Sequence, residues 1–208
     1  ISDYKIHPTV PPAFSRDNPR TAAPAAVGGN LRAASFNVLN YFTTFTDGTT
    51  ATSQSGQGCT LDGATSAANC RGANSAAEFA RQRNKIIPAI AALGADVVGL
   101  MEIQNNGNTA VQNLVDGLNA VQGAGTWATI GLPAGGTGTD AIRVAMIYRP
   151  AKLPPAGGAV SDADPIHNRP PLAQTFSAAN GEKFTVVVNH FKSKGSCPAS
   201  PTDANADQ

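Results

Sequence analysis

Charge is what this chain of 208 residues has least of. Asp, Glu, Lys and Arg make up 14% of it, against roughly a quarter in an ordinary soluble domain. The formal net charge is +1, which excludes steering of nucleic acid by the field of the whole protein and leaves that task to a local basic patch. No apolar run reaches about 18 residues, so no membrane-spanning helix is expected. The stretch from Ile1 to Pro12 lacks the basic-then-apolar pattern of a leader peptide; either the protein is not exported or such a segment has already been removed. Cysteine is scarce too, at three residues. Cys59 and Cys70 flank a polar stretch, Thr60 to Asn69, with no His or third Cys nearby, which argues against zinc. A disulfide stapling this loop is the favoured reading and two free thiols the alternative. Cys197 has no obvious mate, and its partner is expected beyond Gln208 or in a second chain. Few charges, many small polar residues and three cysteines point to a secreted or periplasmic protein.

Apolar residues make up 41%, enough for a substantial core in one large domain or two small ones. With Gly 21 and Pro 15, long, turn-rich connections are expected. Residues 1–30 read as an extended lead-in or linker, because Pro8, Pro11, Pro12, Pro19 and Pro24 exclude a regular helix. The first strand is expected over 31–38. Residues 43–74, rich in Thr, Ser, Gly and Gln, read as a long loop, and such loops are usually functional or disordered. "SAAE" at 75–78 fits a capping box with Ser75 as N-cap. The helix it starts should run to about Leu93, bent or broken at Pro88. "DVVGLMEI", 96–103, is a nearly continuous apolar run typical of a central strand. Helical spacing returns over 110–121. Strands follow at 127–130 and 143–150, and then a hairpin turning at Asn180-Gly181. Strand, helix, strand, helix and then mostly strands indicate a mixed α/β layer structure.

Three strands end on polar groups: Asn37, Glu102, and Asn189 with His190. Strand tips beside loops are where layered α/β folds often build sites. A carboxylate after "VVGLM" is expensive unless it is paired or metal-bound. A hard cation such as Mg²⁺ often uses one or two carboxylates, so Glu102 is a candidate metal ligand; the bland alternative is a strand-end carboxylate facing water or an arginine. His190 can exchange a proton near neutral pH, or be a satisfied structural histidine. Lys192 and Lys194, with Ser193, suit a phosphate backbone or a solvated loop. Asp140 lies in "GTGTDAIR", a Gly/Thr loop without the helix and Lys of a P-loop. Arg169, stiffened by "HNRPP", suits bidentate phosphate contact. Arg81, Arg83 and Lys85 form a basic cluster that reads as a solvated helix face.

"FNVLNYF", "ADVVGLMEIQNNG", "GTDAIRVAMIYRP", "NRPPLAQTF" and "VVVNHFKSKGS" stand here in the order they take in one family. Over 31–208 the chain resembles the endonuclease/exonuclease/phosphatase (DNase-I-like) superfamily, and within it bacterial extracellular nucleases. The resemblance implies a four-layer α/β/β/α sandwich of two packed mixed sheets. It implies hydrolysis of phosphodiesters or phosphomonoesters with Mg²⁺, and in some members Mn²⁺ or Ca²⁺. It puts Asn37 and Glu102 at the metal and His190 beside the scissile phosphate. Arg169 matches a phosphate-contacting arginine; Asp140, Asn189 and Lys192 fall in matching segments. A later Asp/Asn pair and a terminal Asp-His pair, which position water and hold a proton in the family, have no counterpart. The chain is therefore expected to be the N-terminal portion of an incomplete catalytic domain, the remainder missing or on another chain. The expected function is a metal-dependent extracellular nuclease acting on DNA or RNA. A phosphatase or phospholipid phosphodiesterase of the same fold is the second reading, and a non-catalytic binding module or inactive fragment the third.

Overall fold

The computed structural model describes residues 7–15, 17, 21 and 25–191. Lys192 and Cys197, and the expectations attached to them, lie outside these residues. The described part of the lead-in is exposed and carries no helix or strand.

A central sheet holds β1 (Ala33–Tyr41), β4 (Val97–Gln104), β6 (Ile142–Tyr148) and β5 (Ala128–Thr129), in the order β1-β4-β6-β5. β1 and β4 are parallel, and the other pairs are antiparallel. On one face lie α1 (Ala76–Ala92) and α2 (Thr109–Gln122). They bury Phe79, Ile86, Ile87, Ile90, Leu114 and Leu118 against Val98, Leu100, Ala145 and Ile147 of the sheet. On the other face lies a second sheet, β7 (Val160–Ser161), β8 (Leu172–Ser177) and β9 (Lys183–Val188), all antiparallel. Leu172, Phe176 and Val188 meet Val97, Val144 and Met146 between the sheets. The alternation along β4 and β6 thus feeds two cores, which is why both strands read as continuous apolar runs. Helices, sheet and sheet make three layers of an α/β/β/α sandwich; no outer helix layer stands among the described residues.

Gly99 fixes the spacing of the two sheets at one point. A Cβ there would sit 2.7 Å from Val188 Cγ2, so β9 crosses β4 where β4 has no side chain. His190 follows directly at the end of β9.

The α1 cap differs slightly from a reciprocal box. Ser75 Oγ accepts from the Glu78 amide at 3.4 Å, while Glu78 Oε2 accepts from Asn74 N–H at 2.9 Å rather than from Ser75. α1 also continues through Pro88 without a break. Pro88 is on the exposed face, where the carbonyl it leaves unpaired can meet water. Two short strands interrupt the expected 43–74 loop: β2 (Cys59–Leu61) and β3 (Ala64–Ser66) form a ribbon. Cys59 and Cys70 are joined by a disulfide. Gln104 at the end of β4 ties the loop down, its Oε1 accepting from the Thr43 and Thr44 amides at 2.8 and 3.1 Å.

Candidate active site

β1 and β4 both break their ladder at the same level. Asn37 pairs with Met101 and Tyr41 with Ile103, so three residues of β1 stand against one of β4. Leu39 and Asn40 have φ of 52°, and Glu102 has φ of 67°. These non-glycine residues in the left-handed region cost on the order of 1–3 kcal/mol each and cluster where structure serves function. In unbroken β4, Glu102 would follow Val98 and Leu100 onto the helix-side core. The bulge gives that place to Ile103, which is fully buried in it, and turns Glu102 out at the strand tip. Re-aiming one side chain is what bulges beside sites do.

Glu102 is then held from β1. Asn37 Nδ2 donates to its Oε1 at 2.7 Å, and the Asn40 amide donates to its Oε2 at 2.9 Å. Asn37 Oδ1 accepts from the Leu39 amide at 2.8 Å, which fixes the amide plane. Gln82 of α1 secures the bulge from behind, Nε2 donating to the carbonyls of Val38 and Leu39 at 3.1 and 2.7 Å. His190 Nε2 stands 3.7 Å from Glu102 Oε1, both side chains being a little over four-fifths buried. Burial, and next the Arg169 guanidinium, push the His190 pKa below its ordinary 6.5, outweighing Glu102 and Asp140, which pull it up. His190 Nδ1 is buried and has no partner among the described residues.

A second group flanks this one. Asp140 lies between two guanidinium groups, Arg71 Nη1 at 3.0 Å from Oδ1 and Arg169 Nη1 at 3.0 Å from Oδ2. Arg169 Nη2 also reaches the Phe191 carbonyl at 3.3 Å, which ties it to the segment carrying His190. Asn105 holds the Asp140 loop, its Nδ2 donating to the carbonyls of Gly138 and Asp140 at 3.0 Å each. Asn189 is exposed at the tip of β9.

Asn37, Glu102 and His190 therefore converge, and Asp140 and Arg169 join them through charge and through the Phe191 carbonyl. Arg71 was not singled out from the sequence. It follows the disulfide-bonded Cys70, and Gly72 lets its loop press on the β1 bulge: a Cβ there would meet the Asn40 carbonyl oxygen at 2.7 Å. A cationic residue beside a stapling cysteine was the available signal.

Among the described residues no three His, Cys, Asp or Glu side chains stand together as a metal cluster. Mg²⁺ does not require one, since it keeps several waters and binds through one or two carboxylates. Glu102 suits that demand. Each of its oxygens accepts one hydrogen bond, leaving acceptor capacity on both, and no Lys or Arg among the described residues neutralises it. Asn37 turns its Nδ2 to the carboxylate, so here it orients Glu102 rather than adding an oxygen beside it. No helix among the described residues is long and apolar enough to cross a membrane.

No family model matches the chain, and no curated protein matches it. Among solved structures it is similar to D. rerio TDP2 humanized by 14 mutations, at 18% identity and a TM-score of 0.41, over 54% of this chain and 43% of that one. It is also similar to an endonuclease/exonuclease/phosphatase protein from Bacteroides vulgatus, at 17% identity and a TM-score of 0.39, over 55% of this chain and 45% of that one. The chain thus spans less than half the length of either.

Proposed function

We propose that the chain is the N-terminal portion of a metal-assisted phosphodiesterase of the endonuclease/exonuclease/phosphatase superfamily that hydrolyses nucleic acid. The observation that carries the proposal is Glu102, aimed by matched bulges out of the core and held by Asn37 and the Asn40 amide, with His190 3.7 Å away. The five ordered segments of the sequence support the same family.

Glu102 would hold the divalent cation, Mg²⁺ before Mn²⁺ or Ca²⁺, with Asn37 orienting its carboxylate. When bound, such an ion neutralises charge on phosphoryl oxygens and orients the reacting groups. Asn37 and Asn40 keep the carboxylate in one rotamer, so no reorganisation is needed as charge builds at the phosphate. His190, its pKa lowered by burial and next by Arg169, is placed to hydrogen-bond an oxygen of the scissile phosphate or to accept a proton beside it. Both carboxylate oxygens of Asp140 are taken by guanidinium groups, so it acts by positioning Arg71 and Arg169 for phosphate oxygens. Asn189 and Lys192 extend the contact to the substrate. The group that positions water comes from a remainder of the domain, on this polypeptide or a second one. The disulfide fits an oxidising compartment, which favours a secreted or periplasmic enzyme.

Plasmid nicking by the intact protein, with Mg²⁺ and with EDTA, tests this reading, with Glu102→Gln assayed alongside. Metal-dependent nicking that the variant loses is the expected result. Nicking that persists in Glu102→Gln would remove the carboxylate from the reaction. Hydrolysis of small phosphate esters or lipid head groups with plasmid left intact would transfer the assignment to a phosphatase or phospholipid phosphodiesterase. Hydrolysis of neither would favour a binding module.

A further inference from the structure

The basic cluster of α1 does not act as one solvated face. Arg83 turns inward between the helices, with Nε and Nη2 donating to the side chain and the carbonyl of Asn113 at 3.1 and 3.2 Å. Arg81 and Lys85 point elsewhere. With Glu78 and Gln82 they fall at i, i+3, i+4 and i+7 of one stripe, and that stripe walls a cleft of about 520 Å³. The opposite wall is Arg71, Gly72 and Ala73, and the floor is the β1 bulge, Asn37 to Asn40. The cleft therefore begins at the residues that hold Glu102 and runs outward along α1.

Three cations and one carboxylate face this cleft: Arg71, Arg81, Lys85 and Glu78. Glu78 already accepts from the Asn74 amide. Arg71 commits Nη1 to Asp140 and is 39% exposed, so its remaining N–H groups are open to the cleft. Neither Arg81 nor Lys85 makes an ion pair among the described residues. In a chain with so few charges and a net charge of only +1, Arg81 and Lys85 put two cations without an ion pair among the described residues on a cleft that leads away from Glu102.

Resting on the phosphodiesterase reading above, we propose that this cleft is a second phosphate subsite. Arg81 and Lys85, with Arg71 opposite, bind the backbone of a nucleic-acid strand beyond the bond that is cut. A phosphomonoester of a small alcohol has nothing to place there. A polyanionic strand does, and phosphate contacts of this kind fix its register without reading its sequence. The role also explains the staple: the disulfide and the β2–β3 ribbon hold Arg71 across the cleft from α1. The chain needs no high net charge to bind nucleic acid if its few cations line the path of the strand.

The test is binding of a fluorescent single-stranded oligonucleotide to the protein in EDTA, by anisotropy over a range of salt concentrations. Arg81→Glu/Lys85→Glu is compared with Arg32→Glu/Lys183→Glu, which makes the same change of charge at the opposite ends of the strands. The cleft variant is expected to bind at least about 10-fold more weakly than the control variant. Its log–log salt slope is expected to fall by about 0.7 for each single-strand phosphate that the variant no longer neutralises. Hydrolysis of bis(p-nitrophenyl) phosphate, too small to extend from Glu102 to Arg81 and Lys85, should stay at the wild-type rate in the cleft variant and vanish in Glu102→Gln. Equal binding and equal slopes in the two charge reversals would overturn the subsite while leaving the small-diester activity intact. Loss of neither activity nor binding in Glu102→Gln, with the subsite effects present, would overturn the catalytic reading instead. Failure of the wild-type protein to bind the oligonucleotide would overturn the subsite.

Discussion

Asp96 and Glu102 stand at the two ends of β4, and the protein treats them in opposite ways. Asp96 is fully satisfied. Its carboxylate, 4% exposed, takes Lys152 Nζ at 3.0 Å on one oxygen and the Arg32 amide at 3.0 Å on the other. Its own carbonyl accepts from the Arg149 amide, and Arg149 stacks over Trp127. The end of the sheet that carries Asp96 is closed by charge neutralisation and packing. Among the described residues, Glu102 receives only an amide, a backbone N–H and an imidazole 3.7 Å away whose pKa burial lowers. Its backbone is in the left-handed region, as are Leu39 and Asn40 beside it. One strand thus carries a carboxylate neutralised by a lysine and another that no Lys or Arg among the described residues neutralises. Buried carboxylates are distinguished by what neutralises them, not by burial.

Exchanging the two sites' defects should break the comparison most visibly. Glu102→Gln is expected to lose nearly all metal-dependent hydrolysis while its melting stays close to wild type. Asp96→Asn is expected to keep the catalytic rate and lose about 2 kcal/mol, the scale of a hydrogen bond to a charged group; urea melts beside activity assays read both. If Glu102→Gln unfolds and Asp96→Asn does not, the roles are reversed. His190→Ala comes next, with a rate loss of at least about 10²-fold, the low end for proton transfer by a positioned side chain. A near-wild-type rate would take His190 out of the chemistry.

The candidate site was legible in outline because its residues end apolar strands. Asn37, Glu102 and His190 are polar groups where alternation or a continuous apolar run stops, and that pattern lies in the order of the residues alone. What re-aims them was not legible. Nothing in Leu39 or Glu102 announces positive φ, since glycine would be the ordinary choice there, and Asn40 merely tolerates it; the bulges arise because Ile103 and Tyr41 gain core positions that their neighbours would otherwise occupy. The helices followed from their caps and stripes, with Pro88 tolerated because its position faces water. The β2–β3 ribbon went unseen because its strands are three residues each, largely small or polar, and only Cys59 among them is buried. Arg71 was missed because it depends on a contact with Asp140, far away in sequence. The pairing of Arg169 with the same carboxylate is long-range in the same sense, and periodicity cannot carry such information.

The loop that delivers Arg71 offers a smaller effect. Replacing Cys59 and Cys70 by Ser together should cost about 3 kcal/mol, the loop-closure value for a bridge spanning about this length, and should weaken substrate binding more than turnover. Unchanged binding at reduced stability would make the staple purely structural. Gly99→Ala sharpens the link between sheet spacing and the site. The added methyl meets Val188 Cγ2 at 2.7 Å, which should cost about 1–3 kcal/mol by overpacking and shift His190 with β9. Adding Val188→Ala should restore both stability and rate if spacing is the cause; restored stability with rate still impaired would show that His190 is placed by something else.

The most direct measurement is the thermal melt of the wild-type protein, Asp96→Asn and Glu102→Gln, each with increasing Mg²⁺. A cation that binds only the folded chain raises its stability with concentration. The account predicts a rise for wild type, the same rise from a lower starting point for Asp96→Asn, and none for Glu102→Gln. An undiminished rise in Glu102→Gln would contradict it, because the charge left unneutralised at that end of β4 would then not be what holds the metal.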